Sequence, residues 1–359
     1  MPKKPFKNVL LLILLSLILL FSGCGEIVER MEAEPAPPPE VAVQLSDAES
    51  DFSIHFIDVV QGDSIFIVSG GETMLIDAGD AKYADRVIKY LEDRGIKRID
   101  YVVGTHPHAD HIGGLARVIE SFEIGGVWMP NIVHTTKTYE NLIDTITKKG
   151  LTVSYPNPGE SAAFGLAEVS VVAPFKMDKK ALNNCSIVLR IAYDGFAFLF
   201  TGDAETKVEN EIIASKANIS ADVIKIGHHG STSSTSENFL RIVDPHYAII
   251  LVGEDNSYGH PMKAVLNRLE SHGVGVFRTD EQGDIVVAVE DGVIVVKNGC
   301  GEIVSAPPVV EIKYIGNTNS KKFHLMSCAS LPAENNRVYF FTRQEAVESR
   351  YDPCGSCKP

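Results

Sequence analysis

Three histidines and one aspartate crowd into a six-residue stretch that directly follows a short apolar strand. The run Thr105-His106-Pro107-His108-Ala109-Asp110-His111 comes after the apolar residues 99–103 and is closed by Gly113-Gly114. Imidazole and carboxylate groups at this density suit Zn²⁺, Mn²⁺ or Fe²⁺. A polar loop with chance histidines is the alternative, and the density of ligand groups argues against it. The run therefore predicts a metal centre in which His106 and His108 face one point while Asp110 and His111 face a second.

Predicted strands and helices alternate through the body of the chain, which starts at Phe52. Apolar runs and turn residues predict strands at 54–60, 64–68, 74–76, 99–103, around 127, and at 186–192, 197–201, 222–226, 247–252, 274–277, 285–289 and 293–296. Helical spacing predicts helices over 83–94, from near 111, and over 139–149, 205–216, 237–243 and 261–272. Hairpins stand at both ends of this order, which suits two sheets packed face to face with helices outside. The prediction is an α/β fold of the αββα sandwich type.

The N-terminus has the pattern of an export segment. Three lysines precede an uncharged apolar run over 9–21, which is short for a membrane span of about 20 residues. Phe21-Ser22-Gly23-Cys24 resembles a bacterial lipobox, so Cys24 is the expected lipidated residue. We therefore predict a signal peptide over 1–24, a tether rich in proline, glutamate and alanine over 25–51, and a body anchored on the extracytoplasmic face of the membrane or secreted. An uncleaved N-terminal anchor is the alternative.

The charge of the chain argues against a non-specific binder of nucleic acid. The sequence carries 33 Lys and Arg against 47 Asp and Glu, a net charge of −14, of which −11 lies on residues 52–300. An acidic body repels a phosphate backbone. Divalent cations held by some of these carboxylates would offset the repulsion, so the charge balance leaves nuclease activity open.

Further motifs carry a resemblance to a known family. The run at 105–111 matches the His-x-His-x-Asp-His motif of the metallo-β-lactamase superfamily, and its neighbours resemble the corresponding domain of the ComEC competence proteins. These neighbours are Phe56-Ile57-Asp58-Val59-Val60-Gln61-Gly62-Asp63-Ser64, Leu75-Ile76-Asp77-Ala78-Gly79, Asn183-Asn184-Cys185-Ser186, Phe200-Thr201-Gly202-Asp203, Lys225-Ile226-Gly227-His228-His229-Gly230-Ser231 and Tyr258-Gly259-His260-Pro261. The resemblance spans about residues 52–297. It implies the metallo-β-lactamase four-layer sandwich for a domain over 52–300.

The same resemblance implies roles for individual residues. It places His106 and His108 in a first metal site and Asp110 and His111 in a second. It also makes Asp203 a bridge between two metals, His228 the late histidine ligand and Asp77 a support for the metal loop. Asn184 occupies the position where many members place a third histidine. His229 or His260, left unranked, is implied as substrate contact or general acid. An amide oxygen is a weaker ligand than imidazole, so the choice between one metal and two stays open. A phosphate would suit the loop over 230–233, which offers N–H groups and the hydroxyls of Ser231 and Ser233, although such a loop is often only a loop.

The last fifty residues hold a second group of metal-type ligands. His324, Cys328, Cys354 and Cys357 form two pairs whose spacing fits a tetrahedral Cys₃His zinc site, and a module this small needs such a link. Disulfide bonding is the alternative outside the cytoplasm. The segment resembles the zinc-binding, DNA-contacting domain of the Ada repair proteins, with His324 in place of their reactive cysteine. We expect a small α+β module with structural zinc and no methyl transfer over 310–359, after a linker over 301–309.

Three functions compete on this evidence. The first is a metal-dependent phosphodiesterase or nuclease that acts on extracellular DNA, linked to DNA uptake, in which a metal-activated hydroxide attacks phosphorus. The second is a small-molecule hydrolase of lactonase or β-lactamase type, and the third is a non-catalytic lipoprotein that captures DNA. The motif set and the Ada-like tail favour the first, with one or two Zn²⁺ or Mn²⁺ ions and with Asp110, His229 and His260 as catalytic residues. No nucleotide cofactor is expected, and the oligomeric state stays open.

Overall fold

The computed structural model describes residues 51–304, 314–326, 328–333, 336–340 and 343–359. The predicted signal peptide with Cys24, the tether and most of the linker over 301–309 lie outside the described residues. None of the helices within the described ranges is long and apolar enough to cross a membrane.

Two sheets form the body of the described chain. Their strands are β1 (Phe52–Phe56), β2 (Ile65–Ser69), β3 (Glu72–Ile76), β4 (Arg98–Val103), β5 (Glu123–Trp128), β6 (Val153–Ser154), β7 (Ser161–Phe164), β8 (Ala167–Ala173), β9 (Val188–Tyr193), β10 (Phe196–Phe200), β11 (Val223–Lys225), β12 (Tyr247–Ile250), β13 (Gly275–Arg278), β14 (Ile285–Glu290) and β15 (Val293–Asn298). The first sheet has the strand order β15-β14-β1-β2-β3-β4-β5-β6, and the second has the order β13-β12-β11-β10-β9-β8-β7.

Helices cover the outer faces of the two sheets. They are α1 (Ala84–Asp93), α2 (Ala109–Ile112), α3 (Leu115–Ser121), α4 (Lys137–Lys148), α5 (Thr206–Ser215), α6 (Glu237–Val243), α7 (Lys263–Ser271) and α8 (Thr279–Gln282). In α1 the buried residues Val87, Ile88 and Leu91 recur at helical spacing, so one face of the helix is apolar. Ser236 caps α6 by accepting a hydrogen bond from the backbone N–H of Phe239, which satisfies one of the otherwise unpaired donors of the first turn.

Three apolar layers show that the body is a four-layer sandwich. The middle layer lies between the sheets and includes Phe56, Ile67 and Phe198. A second layer packs the first sheet against α1, α3 and α4, and a third packs the second sheet against α5, α6 and α7. Burying each large apolar side chain contributes about 1.5–3 kcal/mol relative to leaving it in water. The predicted αββα fold class is confirmed.

The parallel parts of the two sheets position the metal-type residues. Strands β3 to β6 run parallel in the first sheet, and β10 to β13 run parallel in the second. Parallel strands end at a common edge, where ligands bind in open α/β sheets. The loops that follow β4, β10 and β11 carry the histidine-rich run, Asp203 and the His228-His229 pair, so the topology collects these residues at one place.

A small separate sheet forms the C-terminal module. Its elements are β16 (Tyr314–Asn317), β17 (Lys322–Leu325), β18 (Arg337–Phe340), α9 (Arg343–Glu348) and β19 (Asp352–Pro353), with the strand order β18-β16-β17-β19. Its apolar core comprises Tyr314, Phe323, Phe340, Ala346 and Tyr351. A core of this size stabilises a domain only marginally without a further link.

Candidate metal centre

One carboxylate oxygen is the point around which four histidines gather. Asp203 Oδ2 lies 3.2 Å from His111 Nε2, 3.6 Å from His229 Nε2 and 3.8 Å from His106 Nε2. His228 Nε2 is more distant, at 3.9 Å from the same oxygen. Asp203 follows β10 and is 2% exposed. This carboxylate therefore lies between imidazoles that come from two separate loops, those that follow β4 and β11.

Two overlapping groups of three ligand residues share His111, and Asp203 also lies 3.6 Å from His229. The ligand atoms of Asp110, His111 and His229 lie within 4.8 Å of one another, and so do those of His106, His111 and Asp203. His229 Nε2 is 3.5 Å from Asp110 Oδ2. Two imidazoles and two carboxylates match the donor preferences of Zn²⁺ and Mn²⁺.

Unpaired buried atoms show that these residues fit a metal ion. Nε2 of His111, Nε2 of His229 and Oδ1 of Asp203 are buried and make no hydrogen bond. Buried polar atoms in proteins almost always have a partner, because an unpaired one costs about 1–3 kcal/mol. A cation at this position would satisfy the two imidazole nitrogens at once.

Asp77 supports the metal loop from below, in the role that its motif implies. Its carboxylate accepts hydrogen bonds from the Thr105 backbone N–H at 2.8 Å and the Thr105 hydroxyl at 2.6 Å. It also lies 2.8 Å from His111 Nδ1. A carboxylate behind a ligating imidazole fixes the ring and directs its other nitrogen toward the metal.

The first predicted site has fewer ligands than the second. His106 Nε2 and His108 Nδ1 approach to 2.9 Å, so both imidazoles point at one position. Asn184 does not join them, because its amide oxygen accepts from the Glu205 backbone N–H and its amide nitrogen donates to the Glu205 carboxylate. With both ends of Asn184 engaged, His106, His108 and Asp203 are the protein ligands left for this site.

The adjacent histidines after β11 take different positions. Both have left-handed backbone conformations, with φ of 50° at His228 and 53° at His229. His229 is 2% exposed, and its Nδ1 donates to the Leu251 carbonyl at 2.9 Å, which leaves Nε2 for a metal. The side chain of His228 is 26% exposed and is held at Nδ1 by the Ser233 hydroxyl at 3.0 Å. His229 thus lies closer to the other ligand residues, and the role of His228 as late ligand stays a prediction.

A cavity of about 270 Å³ opens directly above the ligands. Its walls are formed by Gln61, His108, Ala109, Asp110, Asp203, His228, His229, Tyr258 and His260. The Tyr258 ring is 62% exposed and stacks on His260, with ring centroids 5.7 Å apart and an interplanar angle of 20°. Ser231 and Ser233 hydrogen-bond each other at 3.1 Å behind His228, and their predicted contact with phosphate stays a prediction.

Carboxylates around the centre separate the histidines into two protonation classes. Burial alone would lower the pKa of His229, but Asp203, Asp110 and Asp63 outweigh it and raise this pKa to about 9. The pKa of His111 also rises well above its ordinary value, because Asp203 and Asp77 overcome the effect of burial. Burial lowers the pKa values of His106, His108, His228 and His260. Without a metal, the centre therefore keeps its protons on His111 and His229.

Sequence reasoning missed several residues at the centre. Asp63 and Lys225 appeared only within motifs or a predicted strand and received no role, yet Lys225 Nζ forms an ion pair with the Asp63 carboxylate beside Asp203. The sequence does contain a signal for this pair, since Lys225 lies inside the apolar run Val223-Ile224-Lys225-Ile226. Lysine is almost never fully buried unless it is paired, so its position in a buried strand indicates an acidic partner. Gln61 and Tyr258 appeared in motifs but received no role.

The C-terminal module brings its four predicted ligands together. Ligand atoms of His324, Cys328, Cys354 and Cys357 all lie within 4.8 Å of one another. The three cysteines are free thiols, and His324 Nδ1 is 3.4 Å from Cys328 Sγ. Backbone N–H groups of Cys357 and Ser356 lower the pKa of Cys354 to about 7, which favours the thiolate that a metal requires. This donor set fits a tetrahedral zinc ion.

Fold and centre together define a protein of the metallohydrolase class. Two sheets in a four-layer sandwich bring a histidine and aspartate cluster to the edge of their parallel strands, beneath an open cavity. The chain belongs to the metallo-beta-lactamase superfamily, whose sequence model matches residues 57–254, just over half of the chain.

Three competence or recombination proteins are similar to this chain over about 66% of its length. ComE operon protein 3 of Bacillus subtilis (strain 168) is 30% identical over 254 residues, which are 33% of that protein. Competence protein ComA of Neisseria gonorrhoeae is 30% identical over 241 residues, 32% of its length. Recombination protein 2 of Haemophilus influenzae is 28% identical over 241 residues, 29% of its length. The chain thus matches about a third of each relative.

Proposed function

We propose that the chain is a metal-dependent phosphodiesterase that cuts DNA. The observation that carries this proposal is the ligand set Asp110, His111, Asp203 and His229 at the floor of an open cavity. When bound, a divalent metal would lower the pKa of a coordinated water toward about 7 and neutralise charge on a phosphate oxygen. The second site has the fuller ligand set, so it is the site that holds metal more tightly.

Two histidines of the chain, His228 and His260, are proposed to position the phosphate of the substrate. His228 and His260 flank the cavity, with ring centroids 5.7 Å apart, and burial lowers the pKa of each. Neutral imidazoles near pH 7 offer an N–H to a phosphate oxygen without adding fixed positive charge. Of the two residues left unranked by sequence, His260 takes the substrate contact, because His229 is occupied with the metal ligands.

A phosphodiester is favoured over a lactam or a lactone by two observations. The similar proteins carry the words competence and recombination in their names, which point to DNA for them and, by proposal, for this chain. Tyr258 also presents an exposed aromatic face at the mouth of the cavity. Nucleobases stack on such faces with about 1–3 kcal/mol per base.

The C-terminal module is proposed to hold one structural zinc ion through His324, Cys328, Cys354 and Cys357. Its small core gives the reason for the metal, since zinc binding contributes directly to the folding of such modules. Contact of this module with DNA is part of the proposal and rests on the resemblance to the Ada domain.

Export as a lipoprotein completes the proposed function. Cys24 is the proposed lipidated residue, which would place the nuclease beside DNA outside the cytoplasm. Cys24→Ser should move the chain from the membrane fraction to the soluble fraction of the cells that make it. Unchanged membrane association would reject lipidation and favour an uncleaved N-terminal anchor.

The test of the proposed activity is cleavage of linear and plasmid DNA by the purified chain loaded with Mn²⁺ or Zn²⁺. Asp110→Ala should abolish cleavage, whereas Asp93→Ala, a matched change at an exposed helix position, should not. Bis-p-nitrophenyl phosphate and nitrocefin, assayed in parallel, separate phosphodiesterase from β-lactamase. Turnover of nitrocefin with DNA left intact would replace the proposal by the small-molecule hydrolase, and metal binding without turnover would favour a DNA-capturing protein.

A further inference from the structure

A lysine lies fully buried beside the metal ligands, where a cation is not expected. Lys225 ends β11 and is 1% exposed, and its Nζ forms an ion pair with the Asp63 carboxylate, itself 1% exposed. A charged group away from water is costly unless it is paired and hydrogen-bonded, so this pair exists for a reason other than solubility. We propose that Lys225 and Asp63 form a positioning pair that sets the metal affinity of the centre. The inference rests on the proposed metal centre.

Lys225 contacts the backbone directly before the bridging carboxylate and lies beside one oxygen of that carboxylate. Its Nζ donates to the Gly202 carbonyl at 2.9 Å, directly before Asp203. The same nitrogen is 3.8 Å from Asp203 Oδ1, whereas the histidines face Oδ2. The lysine therefore lies on the Oδ1 side of Asp203, and this arrangement turns the other oxygen toward the ligands.

Asp63 stands behind His229 as Asp77 stands behind His111. Asp63 Oδ1 lies 3.4 Å from His229 Nδ1 and has no hydrogen-bond partner. The Nδ1–H of His229 already donates to the Leu251 carbonyl, so Asp63 adds a negative charge beside that proton. Partners of this kind orient ligating imidazoles, and their loss typically weakens metal binding by about 10–100-fold.

The backbone around Asp63 also ties this pair to the metal loop. The Asp63 N–H donates to the Asp110 carbonyl at 3.1 Å, and Asp63 accepts from Gly79 N–H through its own carbonyl at 2.8 Å. Asp63 thus contacts the loop that supplies Asp110 and the strand end that supplies Lys225. One ion pair connects the ligands of three loops.

Removing the Asp63 charge alone, and then both charges together, distinguishes positioning from simple structural support. Asp63→Asn leaves Lys225 without its partner, so the ammonium is drawn toward Asp203 and competes with the metal. We expect this variant to bind Mn²⁺ about 10–100-fold more weakly while it stays folded. Asp63→Asn/Lys225→Met removes the competing cation, and its Mn²⁺ affinity should lie between those of Asp63→Asn and the unchanged chain.

Isothermal titration with Mn²⁺ measures these affinities without turnover. Mn²⁺ is the suitable probe because thiolate sites such as the C-terminal one prefer softer metals. Asp93→Asn and Lys89→Met, on an exposed ion pair of 2.8 Å, are the matched controls and should bind Mn²⁺ normally. Thermal melts of the metal-free variants show whether each is folded.

If a folded Asp63→Asn chain binds Mn²⁺ with the affinity of the unchanged chain, the proposal is overturned and the ion pair has only a structural role. If Asp63→Asn does not fold, the double variant decides: weakened binding supports positioning, and unchanged binding overturns it. A chain that binds no Mn²⁺ at all would overturn the pair and the metal centre together. Failure to cleave DNA with these affinity changes present would reject only the proposed substrate.

Discussion

Metal binding to the centre should release protons, because two of the proposed ligands hold protons in the metal-free state. The pKa of His229 is about 9, raised by Asp203, Asp110 and Asp63 against the effect of burial. Because pH 7 lies about two units below this pKa, removing the proton from His229 costs about 2.7 kcal/mol of the free energy of metal binding. The apparent Mn²⁺ affinity should rise about tenfold for each pH unit between pH 7 and 8.5 from His229 alone, and His111 should steepen this dependence.

Calorimetric titration in two buffers of different ionisation enthalpy counts the protons released per metal. We expect a count close to two near pH 7, one proton from each of His229 and His111. His228→Ala should leave this count unchanged, because burial lowers the pKa of His228 and it carries no proton to release. A count of one or fewer, or an affinity that does not change with pH, would refute the assignment of His229 as a ligand.

The raised pKa also predicts how the metal-free fold responds to pH. Since the pKa of folded His229 lies above the ordinary value of 6.5, its stabilising charge pairs are complete below pH 6.5 and are lost as the pH rises toward 9. The melting temperature of the metal-free chain should therefore fall from pH 6.5 to pH 9. A melting temperature that rises over this range would contradict the charge pairing described for the centre.

Three further predictions concern single positions. A Cβ at Gly62 would lie 2.2 Å from the Asp110 carbonyl oxygen, so Gly62→Ala should cost about 2 kcal/mol in thermal unfolding, and more than Gly71→Ala, whose Cβ would meet nothing within 4 Å. Tyr258→Ala should raise KM for DNA several-fold and leave hydrolysis of bis-p-nitrophenyl phosphate unchanged; an unchanged KM would exclude base stacking. Cys357→Ser should lower the zinc content by one ion per chain without abolishing Mn²⁺-dependent DNA cleavage.

The layered fold was predictable because the spacing of apolar residues that specifies each strand and helix is local in the sequence. Helix α6 spans Glu237–Val243 as the spacing of its apolar residues predicts, and the apolar strands near the metal loop follow the same logic. The hairpin of β7 and β8 was not predicted, although Val169 and Val171 alternate with polar residues. The run Ser161–Phe164 that pairs with β8 is mostly exposed and small, so nothing in its composition marks a strand before its partner is known.

The histidine-rich loop was predictable from the sequence, whereas the positions of the two neighbouring histidines after β11 were not. A motif places His228 and His229 at the end of a strand, but two successive left-handed residues decide which ring turns inward. Likewise, Asn184 occupies a ligand position in the motif, and only its two hydrogen bonds to Glu205 show that the amide is engaged elsewhere. Asp63 and Lys225 lie 162 positions apart, and no local pattern joins them.

The most direct test of the proposed function is single-turnover cleavage of linear DNA by the Mn²⁺-loaded chain, compared with His229→Ala and His228→Ala. We expect cleavage by the unchanged chain, its loss together with Mn²⁺ binding in His229→Ala, and slower cleavage with retained Mn²⁺ binding in His228→Ala. Cleavage that persists in His229→Ala, or an unchanged chain that binds Mn²⁺ and leaves DNA intact, would contradict the proposed function.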